Sequence, residues 1–486
     1  MSDSTDNKEG SGFMGSIRRL SRRLSGTVLS ADSRDVKAYL VRNDKRNIYS
    51  YDGEDQLKVG GIVLKELAEE YGTPLYVYDA NRLVDNYRLY LGSLKNVKNF
   101  MLCYAVKANP NLALLNLFYK LGAGFDVVSG GEIARCLAAG VDPAKIIFSG
   151  CGKTVEELTV AVKADVQCIN VESWEELDRI EAVASRHNKM QNISIRVNPE
   201  LNLDGLSHPN ILTGSGGHKF GVPIGEAVAI YSRAKASASL KIKGISCHLG
   251  SNIDKLEPFI EARDRLLALA DELRQELSIC VEHINLGGGF AAQISGASAH
   301  VSETPAADTI PQWVERLAKP ITERGLKMVL EPGRSLVADG GVLLTKVEYV
   351  KAPPYGQQHP IVPGQLKGGH EASAGLTTEF KYNVAGPICE TTDVFHRDLV
   401  LGQKLESGDY VIIVDAGAYG SSMTSNYNTR NKPAEVMIHD GHPTLIRERE
   451  TYEEQFKREK LVLDLKLKSL NTVEEAESQE DLNNAA

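Results

Sequence analysis

Eight short runs of β-branched and other apolar residues recur along the middle of the chain, each followed by apolar residues at helical spacing. The runs occupy 99–106, 125–129, 146–150, 166–172, 193–198, 242–250, 281–288 and 327–332. The helical patterns between them include 112–121, 156–164, 174–185, 226–236, 257–276 and 312–324. Repeated strand-and-helix units of this number are typical of a parallel (β/α)8 barrel. The alternation therefore predicts an α/β fold with a TIM barrel.

The pattern changes after Arg334. Strand-like runs at 342–350, 380–384, 410–416, 435–439 and 444–449 are separated by Gly, Pro and Asp, with almost no helical spacing. They predict a C-terminal β-sandwich or β-barrel domain, which early runs at 73–78 and 47–51 complete. The expected division is a tail (1–35), an N-terminal part of the β domain (36–80), the barrel (81–335), the β domain (336–464) and a polar tail (465–486).

Composition narrows the class of protein. Of the 486 residues, 42% are hydrophobic and 24% charged, which is ordinary for a globular chain. A net charge of -9 gives no reason to expect a nucleic-acid partner, and no run of about 18 apolar residues predicts a membrane span. The seven cysteines are dispersed without a C-x-x-C pair, so we expect reduced thiols and no metal site.

The N-terminal tail leaves several interpretations open. Its basic stretch, 13–30, fits a solvated tail, a short amphipathic helix, an organelle-targeting element or a kinase site. No signal-peptide pattern is present, so we expect the cytoplasm or an organelle interior such as a plastid, and not secretion.

Polar residues and glycines stand at the C-terminal ends of the predicted strands, where barrel active sites are built. In chain order they are Lys107, Asp126, Ser129, Arg196, His248, Ser251, the glycines 287–289, Glu331 and Arg334. Ordinary alternatives exist: a surface cation for Lys107, a core histidine for His248, a bend for the glycines, and a structural ion pair for Glu331 with Arg334.

Together these residues indicate a cofactor. We expect Lys107 at the barrel rim, where burial lowers the pKa of an ammonium and lets the amine form a Schiff base with an aldehyde. The glycines follow the seventh strand, and barrels commonly bind phosphate after strands seven and eight. A lysine, a phosphate cradle and a carboxylate are the parts that pyridoxal 5'-phosphate (PLP) requires.

Six ordered motifs resemble those of the diaminopimelate decarboxylases. They are Tyr-Ala-Val-Lys-Ala-Asn (104–109), His-Leu-Gly-Ser (248–251), Gly-Gly-Gly-Phe (287–290), Glu-Pro-Gly-Arg (331–334), Gly-Pro-Ile-Cys-Glu (386–390) and Asp-Ala-Gly-Ala-Tyr-Gly (415–420). Ser-Asn-Tyr-Asn (425–428), Pro-Ala-Glu (433–435) and Glu390 favour this branch over ornithine or arginine decarboxylases. The resemblance implies PLP-dependent decarboxylation of meso-2,6-diaminopimelate to L-lysine and CO2, the last step of lysine biosynthesis.

The resemblance also implies a role for each residue. Lys107 would bind PLP as a Schiff base, Glu331 would face the pyridine nitrogen, and His248 would stack on the ring. The remaining cofactor-binding candidates are Ser251, Gly288, Gly289 and Tyr419 at the phosphate, with Asp126, Arg196, Gly333 and Arg334 around it.

On the substrate side, the resemblance implies that Arg334 grips a carboxylate bidentately and that Tyr419 lies beside it. Cys389 would deliver the proton to the α-carbon, and Glu390 would bind the distal amino group. In the family the last two reach the partner subunit's barrel, which implies a homodimer with shared active sites.

One segment departs from the family pattern. Family members normally carry Asp-Ala-Gly-x-Asn-Asp-Leu-x-Arg-Pro-x-x-Tyr before the Gly-Pro-x-Cys-Glu strand, and its Arg and Tyr bind substrate. Here 352–378 has no such motif, and no arginine occurs between Arg334 and Arg397. Lys367, Lys381 and Tyr382 are the candidate replacements. The departure leaves open a decarboxylase of another diamino acid and a weakly active, PLP-binding regulatory homologue; a racemase would need a tyrosine in place of Cys389.

Overall fold

The structure is a computed structural model that describes residues 48–51, 57–97, 99–203, 213–214, 219–291, 310–351, 359–361, 380–401 and 404–461. The two predicted tails, including the basic stretch 13–30, lie outside the described residues. None of the helices within those ranges is both long and apolar enough to cross a membrane.

The described chain begins with short β elements. Strands β1 (Tyr49–Tyr51), β2 (Leu57–Val59) and β3 (Ile62–Val63) form an antiparallel sheet of their own. Helix α1 (Leu64–Tyr71), strand β4 (Leu75–Asp79) and helix α2 (Ala80–Ser93) follow. Asp79 ends β4 and begins α2, because its carboxylate accepts a hydrogen bond from the Asn81 N–H at 2.9 Å.

A parallel barrel follows. Its strands are β5 (Phe100–Ala105), β6 (Gly124–Val127), β7 (Ile146–Phe148), β8 (Cys168–Val171), β9 (Gln191–Asn198), β10 (Val222–Pro223), β11 (Leu240–Ser246), β12 (His283–Asn285) and β13 (Lys327–Leu330). Apart from β10, which pairs only with β9, these strands pair in chain order, and β13 closes on β5. The predicted (β/α)8 barrel is confirmed.

Helices cover the outside of the barrel. They are α3 (Leu112–Lys120), α4 (Gly130–Ala138), α5 (Val155–Ala164), α6 (Trp174–Arg186), α7 (Ala227–Lys235), α8 (Glu257–Leu277) and α9 (Ile310–Thr322), with a single turn α10 (Arg334–Val337) after β13. Ser129, Thr154 and Ser173 begin α4, α5 and α6 by accepting hydrogen bonds from backbone N–H groups three residues on. Ser129 is thus the N-cap of a helix.

The second unit is made of β-strands. It contains β14 (Gly341–Lys346), β15 (Tyr349–Lys351), β16 (His359–Ile361), β17 (Phe380–Ala385), β18 (Val394–Leu401), β19 (Tyr410–Ile413), the turn α11 (Gly420–Met423), β20 (Ala434–His439), β21 (His442–Arg447) and α12 (Tyr452–Phe456). The main sheet has the order β19-β14-β4-β20-β21, and β15–β16 and β17–β18 are separate pairs. The predicted β domain is confirmed, and β4 joins it as the run at 73–78 predicts.

A buried glutamate connects the β domain to the barrel through hydrogen bonds and an ion pair. Glu435 on β20 has no exposed surface, and its Oε2 accepts hydrogen bonds from Tyr78 Oη at 3.0 Å and Asn111 Nδ2 at 3.1 Å. Its Oε1 accepts from Ser421 Oγ at 2.5 Å and lies 2.6 Å from Arg447 Nη1. Since Asn111 is the N-cap of α3, this one carboxylate connects the barrel, the sheet and the α11 loop.

Removing this carboxylate should destabilise the protein. Glu435→Ala is expected to lower the free energy of unfolding by about 3 kcal/mol or more, because it leaves buried donors unpaired. Urea denaturation followed by circular dichroism measures the change. The control is Glu69→Ala, which breaks a solvent-exposed pair with Lys65 and should cost less than about 1 kcal/mol. Equal losses in the two variants would contradict a special contribution from Glu435.

Candidate active site

A cavity of about 340 Å³ opens at the C-terminal ends of the barrel strands. Its walls include five of the predicted site residues: Lys107, Asp126, Arg196, His248 and Glu331. They come from five different strands or strand ends, β5, β6, β9, β11 and β13. The fold therefore brings together side chains that are more than 200 positions apart in sequence, as expected for a TIM barrel.

Lys107 lies in the turn Val106–Ala108, directly after β5. Its Nζ is 3.9 Å from Asp126 Oδ2, and 39% of its side chain is exposed, against 3% for Asp126. Partial burial lowers the pKa of Lys107, but the electrostatic influence of Asp126, and then of Tyr419 and Glu331, outweighs it and raises the pKa above its usual value. The expectation of a lowered pKa is therefore wrong for the protein without a cofactor, because two carboxylates face this ammonium.

Glu331 follows β13 and is buried beside these groups. Its Oε1 accepts a hydrogen bond of 2.5 Å from Asn285 Nδ2. Burial, and next the charge of Asp126, raise the pKa of Glu331, whereas Asn285 and Lys107 act in the opposite direction. A cation placed next to Glu331 would therefore favour its ionised form.

The loop after β12 passes very close to other backbone segments. A Cβ on Gly288 would lie 2.1 Å from the Glu331 carbonyl oxygen, and one on Gly289 would lie 2.1 Å from that of Gly250. Gly289 also has a φ of +102°, which side-chain-bearing residues rarely adopt. Glycine is therefore required at both positions, because only a residue without a side chain lets the loop pack this closely against the segments at Glu331 and Gly250.

His248 and Ser251 flank the glycine loop. His248 Nδ1 accepts a hydrogen bond from the Gly288 N–H at 3.2 Å. Burial, Lys107 and Arg196 hold the pKa of His248 well below its usual value, so the imidazole is neutral. Ser251 precedes Ile253, whose N–H donates to the Gly289 carbonyl at 2.9 Å, so this segment runs alongside the glycines.

A loop of the β domain contacts the mouth of the barrel at Tyr419. The Tyr419 N–H donates to the Ala108 carbonyl at 2.8 Å, next to Lys107. The Arg334 guanidinium lies 4.7 Å from the centre of the Tyr419 ring. Gly333 fits between Ala105 and Ala108, since a Cβ there would come within 3.2 Å of both of their methyl groups. The structure thus places Gly333 and Tyr419 against the segment that carries Lys107, and Arg334 against Tyr419.

Comparison with known proteins gives the family. Residues 82–338 match the family model for the pyridoxal-dependent decarboxylase, pyridoxal binding domain. A diaminopimelate decarboxylase of Neisseria meningitidis serogroup A is 43% identical over 407 residues, which cover 81% of this chain and 96% of that one. The chain belongs to the diaminopimelate decarboxylase family.

Solved structures of family members have the same fold. The diaminopimelate decarboxylase of M. jannaschii in complex with L-lysine aligns with a TM-score of 0.76 and 32% identity, over 86% of this chain and 98% of that one. The enzyme of Helicobacter pylori, also in complex with L-lysine, aligns with a TM-score of 0.73 and 35% identity, over 81% of this chain and 98% of that one. The shared coverage includes far more than the barrel.

Sequence reasoning missed several residues that line the cavity or hold the side chains that line it. Glu172, just after β8, accepts hydrogen bonds from Arg196 Nη1 at 2.8 Å, Gly221 N–H at 2.9 Å and Gly150 N–H at 3.0 Å. Ser149 and Gly150 after β7, and Asn170 in β8, line the cavity. All lie within the last three residues of the predicted strands 146–150 and 166–172, so the same strand-end rule could have identified them.

Lys153 was also missed, and no sequence signal marks it. Its side chain is 1% exposed, and Nζ donates to the Gly150 carbonyl at 2.6 Å, the Asn170 carbonyl at 2.8 Å and Glu176 Oε1 at 2.5 Å. All three ammonium protons are thereby used. Lys153 supports the cavity wall from behind and does not line it.

Cys389 and Glu390 are not brought to the cavity of the single chain. Both are exposed, and the Cys389 N–H donates to Asn428 Oδ1 at 2.7 Å. Of the proposed clamp replacements, Tyr382 is wrong, because it is 1% exposed and its hydroxyl accepts a hydrogen bond from the Leu405 N–H inside the β domain. Lys367 and the side chain of Lys381 lie outside the described residues, as does most of 352–378.

Proposed function

We propose that the protein catalyses the PLP-dependent decarboxylation of meso-2,6-diaminopimelate to L-lysine and CO2, the last step of lysine biosynthesis. The observation that carries the proposal is the meeting of Lys107, Glu331 and the glycine loop at one barrel mouth, in a chain of this family. PLP, when bound, supplies an electron sink for the electron pair left by departing CO2.

The residues at the mouth fit PLP. Asp126 Oδ1 and Arg334 Nε are buried and find no hydrogen-bond partner among the described residues, as expected of a site built for a polar ligand. Lys107 would hold the cofactor aldehyde covalently, and Glu331 would hold the ring nitrogen as a cation. The backbone at Gly288 and Gly289, with Ser251 and Tyr419, would receive the phosphate.

The other site residues have separate tasks. Neutral His248 would offer its face to the ring without competing for the ring nitrogen's proton. Arg196, fixed by Glu172, and Gly333 would complete the cofactor site. Arg334, with Tyr419 beside it, would bind a substrate carboxylate in a bidentate geometry that lysine cannot copy.

We further propose a homodimer in which Cys389 protonates the substrate α-carbon and Glu390 binds the distal amino group in the partner's site. The exposure of both side chains on the single chain supports this arrangement. Large apolar side chains of the β domain are exposed as well, with Phe395 at 49%, Tyr427 at 52% and Met423 at 75%. Apolar exposure of this kind is common at protein–protein interfaces.

The direct test is release of CO2 from a panel of amino acids. meso-2,6-Diaminopimelate is expected to react fastest, ahead of its LL isomer, L-lysine, L-ornithine and L-arginine. Faster release from L-ornithine or L-lysine would assign another substrate. Bound PLP without CO2 release from any of them would support a regulatory homologue.

The altered segment 352–378 should raise KM. Loss of one charge-assisted contact costs about 1.5–3 kcal/mol, or roughly 10- to 150-fold in affinity. Replacing 352–378 with the family's Asn-Asp-Leu-x-Arg-Pro segment should therefore lower KM more than it raises kcat, because Lys107, Glu331 and Cys389 are unchanged. Steady-state kinetics measure both constants, and a KM unaltered by the replacement would contradict the loss of a clamp.

A further inference from the structure

Asn285 lies at the last position of β12, beneath the mouth of the barrel, and has no exposed surface. Its Nδ2 donates to Glu331 Oε1 at 2.5 Å, and its Oδ1 accepts a hydrogen bond from the Gly287 N–H at 2.8 Å. One side-chain amide therefore connects the buried carboxylate to the first residue of the glycine loop.

The surrounding backbone reinforces this connection. The Glu331 N–H donates to the Gly287 carbonyl at 2.7 Å, and the Cys247 N–H donates to the Asn285 carbonyl at 2.9 Å. The distance between Glu331 and Gly287 is thus set by one backbone hydrogen bond and by the two hydrogen bonds of the Asn285 side-chain amide. With an aliphatic side chain at position 285, only the backbone hydrogen bond between Glu331 and Gly287 would remain.

We propose that Asn285 is a positioning residue that couples the carboxylate facing the cofactor ring to the loop that receives the cofactor phosphate. The inference rests on the proposed function, since it takes Glu331 as the partner of the ring nitrogen. Asn285 acts in two ways: it holds Glu331 and the glycine loop at a fixed separation, and its amide donor favours the ionised carboxylate.

The charges around Glu331 explain why an amide is suited to this position. Asp126 on β6 raises the pKa of Glu331, while Lys107 after β5 and Arg196 on β9 lower it. A second acidic neighbour would favour the neutral acid, which cannot pair with a cationic ring nitrogen. A neutral donor supports the charged form without adding charge.

The test is a double-mutant cycle read by PLP binding to the cofactor-free protein. Asn285→Asp keeps an acceptor for the Gly287 N–H but removes the donor to Glu331. PLP affinity, measured by absorbance and fluorescence titration, should fall roughly 10- to 150-fold, the effect of losing a hydrogen bond to a charged group. Affinity should also start to fall at a higher pH than in the wild type, because Glu331 becomes easier to protonate.

The second arm is Glu331→Gln, alone and with Asn285→Asp. In the double variant, the new carboxylate at 285 can accept a hydrogen bond from the new amide at 331, so the pair is restored with donor and acceptor exchanged. Asn285→Asp should therefore cause no further loss of affinity in the Glu331→Gln background. A purely structural role would instead make the two losses add.

Controls keep the outcome decisive. Asn192→Asp alters another barrel asparagine, whose amide donates to the Gln167 carbonyl at 3.0 Å at the opposite end of the barrel, and it should leave PLP affinity and its pH dependence unchanged. If Asn285→Asp does not fold, Asn285→Ala replaces it in the cycle. The fold-loss of PLP affinity that Asn285→Ala causes should then be about threefold or more smaller in the Glu331→Gln background than in the wild type.

Two results would overturn the inference. One is an Asn285→Asp protein whose PLP affinity matches that of Asn192→Asp, and the other is additive losses in the double variant. Failure of the proposed function gives a different result: the wild-type protein would not bind PLP, or Glu331→Gln alone would bind it as tightly as the wild type.

Discussion

Replacing Lys107 by alanine is expected to lower diamino-acid decarboxylation by at least about 10⁴-fold, the upper end of what one acid or base contributes. Covalent attachment of the cofactor is lost at the same time. Lys107 is the one lysine that lines the cavity in the described part of the chain. CO2 release with saturating PLP measures the effect.

Chemical trapping tests the same assignment without relying on turnover. Borohydride reduction of the wild-type protein loaded with PLP should leave one pyridoxyl group, and peptide mass spectrometry should locate it on Lys107. Lys145→Ala, an exposed lysine before β7, is the matched control and should label and react normally. Reduction that places the adduct on another lysine, Lys153 included, would refute the assignment.

The barrel could be predicted because its signal is local and repeated. Each strand is a short apolar run buried on both faces, and each helix shows its own amphipathic period, so neither depends on distant contacts. The rule that barrel sites lie at strand ends then predicts one mouth that holds Lys107, Asp126, Arg196, His248 and Glu331, and all five line the cavity.

Properties that depend on contacts between distant segments could not be predicted from the sequence. The pKa of Lys107 is raised because Asp126 and Glu331 face it together, and that balance against burial cannot be read from a strand end. Glu435 accepts hydrogen bonds from Tyr78, Asn111 and Ser421 and pairs with Arg447, and these partners come from segments between positions 78 and 447. Tyr382 is a candidate clamp by its sequence position alone, but the fold buries it inside the β domain.

The second large effect is expected at Cys389, which the single chain leaves outside its own cavity. Cys389→Ala should lower kcat by about 10²-fold or more, as expected for loss of a general acid, while PLP remains bound. Cys280→Ala is the matched control, since that thiol is also exposed but belongs to the barrel surface between α8 and β12. Unchanged turnover in Cys389→Ala would mean that another group protonates the α-carbon.

Mixing two inactive variants tests whether Cys389 acts in the partner's site. If each site combines Lys107 of one subunit with Cys389 of the other, a mixed dimer of Lys107→Ala and Cys389→Ala chains has one site with both residues intact and one with neither. Random exchange makes half of the dimers mixed, so activity should recover to about a quarter of the wild-type value. Recovery should follow the rate of subunit exchange, measured independently with differently tagged chains. Complete exchange without recovery would show that each site is built from a single chain, and the exposed position of Cys389 would then require a movement of the β17–β18 segment toward its own barrel.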